Sequence, residues 1–334
     1  MAFPITIQEL REQIVPAPMK LTAFAEKNKS KMEQFYLSDN PSPAAFHYIR
    51  QNFQLYTEDH QFGAELLHSG LTCNPAAIAY IENNINTDGE DYLRNTIFSN
   101  PSLTANVLAM MLPLYNITAD NFSYRLMSAN PSSAAVDYMM DQHPDKICWP
   151  EWCTNSNPRA VAFLKKNRTK INYSYLSRNT SNEAMRLLEA VHPAHIDFDQ
   201  LAMNSNPRAF KLLLEHAPYI NYNNLAANKN PEALAYLFKH AHTEYPYEIN
   251  WRVLTRNPSA MNYLEANPSK VVFPIFWQNP AIFEKDYHAV AKERMPLLKE
   301  ELQHAAFHPD RIDLWVKMGV KKREIIDNLI PPTF

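Results

Sequence analysis

The sequence predicts an all-α chain, an α-solenoid of about nine to ten short two-helix repeats, and three observations carry that prediction. The pair Asn-Pro recurs at Asn40, Asn74, Asn100, Asn130, Asn157, Asn206, Asn230, Asn257 and Asn279, with one further copy at Asn267 inside a unit. Between copies, apolar residues recur at helical spacing, as in Ala160, Val161 and Leu164 or Ala209, Phe210 and Leu213. The chain of 334 residues also holds 25 prolines against 4 glycines, so its turns are made without the residue that usually makes them.

Each element follows from local chemistry. Residues 1–34 read as amphipathic helix broken at Pro16 and Pro18, an N-terminal helical cap. The repeat array spans 35–290. Its first part, 40–130, is irregular, with unit starts 34, 26 and 30 residues apart and insertions expected over 51–70. The part from 130 to 290 is regular. Starts at Asn157, Asn182, Asn206 and Asn230 are separated by 25, 24 and 24 residues, and Asn179-Thr180 has lost its proline.

Within a unit, Asn is a strong N-cap and Pro suits the first helical position, where its missing N–H costs nothing. The proline also holds the preceding Asn extended, the conformation an N-cap adopts. A first helix follows, then a second turn, then a shorter helix carrying Ile-x-aromatic-x-x-Leu. That set is Ile171, Tyr173, Leu176; Ile196, Phe198, Leu201; Ile220, Tyr222, Leu225; and Ile249, Trp251, Leu254, with Ile147, Trp149 and Trp152 in the same places. Helices this short are marginal alone, so each pair must stack on its neighbours, and terminal units should differ because they face water. Residues 291–334 read as the C-terminal capping repeat and tail.

Composition excludes several classes. The apolar content of 46% fits a folded chain, and no apolar run has the length a bilayer requires. No signal-peptide pattern is visible, and three cysteines are too few for a disulfide framework, so an intracellular protein is expected, with no membrane association. A net charge of −3 gives no global attraction to nucleic acid, and so few glycines leave no phosphate-cradling loop.

The units written Leu176-Ser177-Arg178-Asn179, Ile249-Asn250-Trp251 and Leu254-Thr255-Arg256-Asn257-Pro258 occur together with Glu300-Glu301-Leu302 and Phe307-His308-Pro309-Asp310-Arg311. In that combination the chain resembles the Asn-Pro helical-repeat proteins that giant DNA viruses encode in multiple copies. The resemblance covers roughly 35–320 as a pattern. It implies helical repeats and a viral source, with a place in the host cytoplasm or the virion, and it carries over no catalytic residues.

Candidate chemistry is sparse. His143, Cys148 and Cys153 match no zinc spacing; Cys148 stands where other units have the Asn of Ile-Asn-Tyr, and Cys153 where they have the Ser of Leu-Ser. His143, His192, His216 and His308 recur near the second turn, where an imidazole suits a helix C-terminus. Capping accounts for the asparagines and is preferred to amides that pair with adjacent turns or with a peptide. From Glu151 to Lys211 nine basic residues face five acidic ones. Of these, Arg159, Lys166, Arg168, Arg208 and Lys211 are the candidate partner-binding residues.

The expected function is a non-enzymatic scaffold or adaptor that binds protein, with no metal and no cofactor. The alternatives are a structural component of a virion or assembly lattice, which would self-associate, and nucleic-acid binding through 151–211.

Overall fold

The computed structural model describes residues 18–52, 71–84, 95–113, 121–240, 249–292, 295 and 308–321. Among them the chain is helical, with one pair of three-residue strands, Met19–Leu21 and Phe283–Lys285. Leu21–Phe283 forms one compact unit, and Lys20 groups with the chain from Glu284 onward in another. In that second unit Lys20 pairs with Glu284 at 3.6 Å, and the helix Pro309–Lys317 buries none of its residues. The insertions expected over 51–70 lie beyond Asn52, outside the described residues, as does the tail past Lys321.

Within Leu21–Phe283 one cycle recurs: a first helix, a 3-10 turn, a shorter second helix and an asparagine. It is complete in Pro158–Lys166, Arg168–Lys170 and Tyr173–Leu176, then in Asn182–Glu189, Pro193–His195 and Phe198–Met203. Pro207–Glu215, Ala217–Tyr219 and Tyr222–Leu225 repeat it. Of the expected Ile-x-aromatic-x-x-Leu set, the aromatic residue opens the second helix and the Leu lies within it, while the Ile stands two residues earlier, at the end of the 3-10 turn. Trp152, Leu176, Leu201, Leu225 and Leu254 are fully buried, and so are Ala160, Ala184, Ala209 and Ala233 on the first helices. Alanine there lets neighbouring helices approach closely; Trp152 Nε1 reaches the carbonyl of Ala160 at 3.2 Å.

The asparagine three residues past each buried Leu or Trp closes the cycle. The backbone N–H of Asn155, Asn179, Asn204, Asn228 and Asn257 donates to the carbonyl of Trp152, Leu176, Leu201, Leu225 and Leu254. The chain then runs extended into the next first helix, leaving two carbonyls in each turn with no helical partner. The next repeat supplies the donors. Asn179 Nδ2 donates to Cys153 O (2.9 Å) and Asn155 O (2.8 Å), and Asn204 Nδ2 to Ser177 O and Asn179 O (2.9 Å each). Asn228 continues to Ala202 O and Asn204 O, Asn257 to Ala226 O and Asn228 O, and Asn279 to Thr255 O and Asn257 O.

The same rung runs backwards through the irregular part. Asn155 donates to Ser128 O and Asn130 O, Asn130 to Phe98 O and Asn100 O, and Asn100 to Thr72 O and Asn74 O. Asn74 donates to Asn40 O and, alone in the series, to the carbonyl two residues beyond, Ser42 O. Asn40 then donates to Trp277 O at 2.9 Å and Asn279 O at 2.8 Å, across 239 residues of sequence. Ten asparagines, each no more than 3% exposed, therefore form a closed hydrogen-bonded circuit. Amides pairing with adjacent turns, the reading set second to capping, are what the structure contains, alongside capping.

Closure needs a piece of one repeat from each end of the unit. Asn279 and the 3-10 turn Pro280–Ile282 begin a tenth cycle, and Thr22 N donates to Ile282 O at 2.8 Å. Residues from the start of the chain complete it: helix Ala23–Lys27, 3-10 turn Lys29–Lys31, helix Gln34–Ser38, then Asn40. Asn28 Nδ2 donates to Phe24 O as Asn167 Nδ2 donates to Phe163 O, both at 2.9 Å, which fixes the register. The part of the expected 1–34 cap that is described thus supplies the first helix, the 3-10 turn and the start of the second helix of that repeat. An end that would have faced water is covered by the other end.

The circuit also separates two kinds of Asn-Pro. Asn40, Asn74, Asn100, Asn130, Asn257 and Asn279 are rungs, and each also accepts the backbone N–H two residues on. Asn157, Asn206 and Asn230 are not rungs; they stand two residues past Asn155, Asn204 and Asn228 and cap the first helix, accepting from Arg159, Arg208 and Glu232. The unit aligned on Asn182 has its rung at Asn179 and its cap at Ser181, whose Oγ accepts from Ala184 N at 3.2 Å.

Candidate functional site

The second helices bury one side and expose the other. Their exposed sides carry side chains joined from one repeat to the next. Arg125 Nε donates to Glu151 Oε1 at 2.8 Å, and Arg178 Nε to Gln200 Oε1 at 2.7 Å. Asp199 Oδ1 accepts from Asn221 Nδ2 (2.8 Å) and Asn224 Nδ2 (3.2 Å), and Gln278 Nε2 donates to Asp39 Oδ2 at 3.0 Å. Arg178 also lies over the Tyr175 ring, 5.4 Å from its centroid. Arg252 and Arg256 are exposed on the same side, and Phe35 is 62% exposed. This belt is polar, mixed in charge and held in place at several points by its own bonds.

The electrostatics of the belt favour fixed charges over reactive ones. Burial pushes the Glu151 carboxyl up, but hydrogen bonds from Cys148 and Arg125 outweigh it and hold the group below its ordinary value. The Cys148 thiol donates to Glu151 Oε2 at 2.6 Å and is pushed up to about 11, by burial first and then by that bond. Burial raises Cys153 as well. Both sulfurs are therefore thiols near neutrality, without the thiolate character a nucleophile requires. Cys153 Sγ accepts the Asn172 N–H at 3.3 Å, as Ser177 Oγ accepts that of Asp197, so Cys153 does fill the Ser position. Cys148 opens its helix where other units place an Asn or Asp, and it makes no side-chain cap. No cluster of metal-ligating side chains occurs among the described residues, and the three cysteines are unbridged.

The five basic candidates divide. Arg159 on Pro158–Lys166 pairs with Asp137, and Arg208 on Pro207–Glu215 pairs with Glu189, its Nε at 2.9 Å from Oε1. Each pair ties a first helix to the one before it. Lys166, Arg168 and Lys211 are exposed and make no ion pair among the described residues. Lys166 and Arg168 stand at the turn after a first helix, while Lys211 stands mid-helix two repeats on, so the five do not form one patch. Two histidines follow the C-terminal reading and two stand at N-caps instead, His192 and His308; at the C-caps, His143 packs between Tyr124 and Tyr138, and His216 against Phe198, at centroid distances of 5.6, 4.8 and 5.2 Å. His192 Nδ1 accepts from Ala194 N at 3.2 Å, and His308, in the other unit, lies 3.4 Å from Asp310.

What the sequence missed is the belt itself. Apart from Asn221, its bonded members sit five, four or one residues before a rung, a register visible only once the rungs are known. No helix among the described residues is long and apolar enough to cross a membrane. Comparison with protein-family models, curated proteins and solved structures finds no match for this chain.

Proposed function

We propose that Leu21–Phe283 is a repeat scaffold, an α-solenoid closed on itself, that binds a protein partner through the exposed side of its second helices. The observation behind this reading is the belt of bonded polar side chains, Arg125–Glu151, Arg178–Gln200, Asp199–Asn224 and Asp39–Gln278, carried on a frame braced by the Asn rungs. Side chains already fixed by neighbours lose little entropy on binding, which favours recognition over display of flexible charge. On the resemblance to Asn-Pro repeat proteins of giant viruses, the partner belongs to the infected host or to the virion. The test is affinity purification from the native source with wild type and with Arg252→Glu/Arg256→Glu. A partner that wild type retains and the variant loses, with unchanged circular dichroism, is the expected result; identical protein sets would refute the reading.

A second reading is favoured by the exposed Lys166, Arg168 and Lys170, which make no ion pair among the described residues and suit a phosphate backbone. It predicts a mobility shift of RNA or DNA at low salt that vanishes as salt rises.

A further inference from the structure

The tenth repeat is assembled from two separate stretches of chain, joined only the long way round through residues 41–272. One side is a plug, Thr22–Asn40; the other is a socket, Phe273–Phe283. Five hydrogen bonds cross the seam: Asn40 Nδ2 to Trp277 O and Asn279 O, Trp277 Nε1 to Lys31 O at 2.9 Å, Gln278 Nε2 to Asp39, and Thr22 N to Ile282 O. Phe24 stacks on Phe273 and meets Phe276 edge-on, with centroids 6.4 and 5.4 Å apart, while Lys31 Nζ stands 3.7 Å over the Phe273 ring. At every other rung the two sides are also tethered by the chain between them.

The geometry points to the seam as a self-association site: the plug of one copy seats in the socket of a second copy, so that two opened chains close on each other. The partner's chemistry is specified by the contacts themselves. The socket presents three carbonyls, an indole N–H, the Gln278 amide and two phenyl rings, and the plug presents the matching Asn40 amide, Thr22 N–H, Lys31 carbonyl, Asp39 carboxylate and Phe24 ring. A second copy can make every one of these seam bonds, so exchange is governed by protein concentration against the local concentration of the tethered plug, and by the change of twist that each remaining rung takes up in a larger ring. The apolar rings of both halves, exposed on opening, favour re-pairing over a persistently open chain.

Full-length protein, grown as light and heavy isotopic batches, is mixed in denaturant and refolded at low and at high concentration. Monomer is expected from dilute refolding and dimer, or larger rings, from concentrated refolding, separated by size exclusion with light scattering. The dimer is then treated with a lysine-reactive cross-linker. Lys31 of the plug and Lys270, three residues before Phe273, report which socket each plug occupies. In an exchanged dimer about half of the Lys31–Lys270 cross-links carry one light and one heavy peptide. Monomer at every concentration, or Lys31–Lys270 cross-links that are all isotopically pure within the dimer, would overturn the assignment. Trp277→Phe, which removes one seam bond, should speed exchange by about fivefold to tenfold.

Discussion

The rung between Asn179 and Asn204 and the rung between Asn279 and Asn40 are chemically alike and topologically opposite. In each, one amide donates to two carbonyls of the preceding turn at 2.8–2.9 Å. The first joins residues 25 apart, tethered through a helix, a turn and a helix; the second joins residues 239 apart and is the link that makes the set a circuit. The interior rung re-forms wherever its repeat folds. The seam rung requires every intervening repeat to place Trp277 and Asn279 beside Asn40. Repetition therefore stabilises locally, and closure is a global test of it.

The largest effect should come from reversing the rung chemistry. Asn179→Asp replaces two buried donors with a carboxylate aimed at the carbonyls of Cys153 and Asn155, at a cost of about 4 kcal/mol or more. It should lower the urea midpoint sharply. Asn40→Asp puts the same chemistry at the seam, and hydrogen exchange should quicken first over 22–40 while Leu176, Leu201 and Leu225 stay protected. If all segments lose protection together, the seam is as cooperative as the interior and the distinction fails.

Trp277→Phe keeps the ring and deletes one seam bond, for an expected loss of about 1–2 kcal/mol in chemical denaturation. Cys153→Ser, inside the regular part, restores the hydroxyl its neighbours use and should change stability by less than about 1 kcal/mol, whereas Cys153→Val leaves the Asn172 N–H without its acceptor and should cost more. A smaller effect belongs to pH. Desolvation raises the Asp39 carboxyl above its ordinary 3.8, against the pull of Gln278 and Arg256. The folded chain therefore holds that proton more tightly than the unfolded one, and stability falls as pH rises through the window between the two values. Asp39→Asn should flatten that slope in denaturation midpoints taken from the acid side to neutrality. Smallest of all, Arg208→Ala removes an exposed pair with Glu189 and should leave the midpoint unmoved.

The helical class, the second-helix register and the helix caps at Asn157, Asn206 and Asn230 were legible because each rests on residues adjacent in sequence. The rungs were half-legible. Proline follows Asn40 and Asn257 but not Asn155, Asn179, Asn204 or Asn228, so a search keyed on Asn-Pro merges rung and cap, two positions two residues apart. The seam was not legible, since the Asn-Pro that opens this repeat lies at Asn279, far from Thr22–Asn40, whose only Asn-Pro comes at its end. The basic segment misled for a related reason. Asp137 and Glu189, which neutralise Arg159 and Arg208, lie 22 and 19 residues back on the preceding first helix, and Asp137 falls outside the window that made the segment look cationic.

The circuit of asparagines also fixes a census. An open array gains or loses a unit at little cost, because its last repeat has only one neighbour to satisfy. Here, excising a single unit such as 179–203 would leave Asn40 facing carbonyls that had rotated away, unless every remaining rung changed its twist by a share of the missing angle. Duplication and deletion, the usual means by which repeat genes drift in length, are thereby screened at one hydrogen-bonded joint. The number of units becomes a property under selection in its own right.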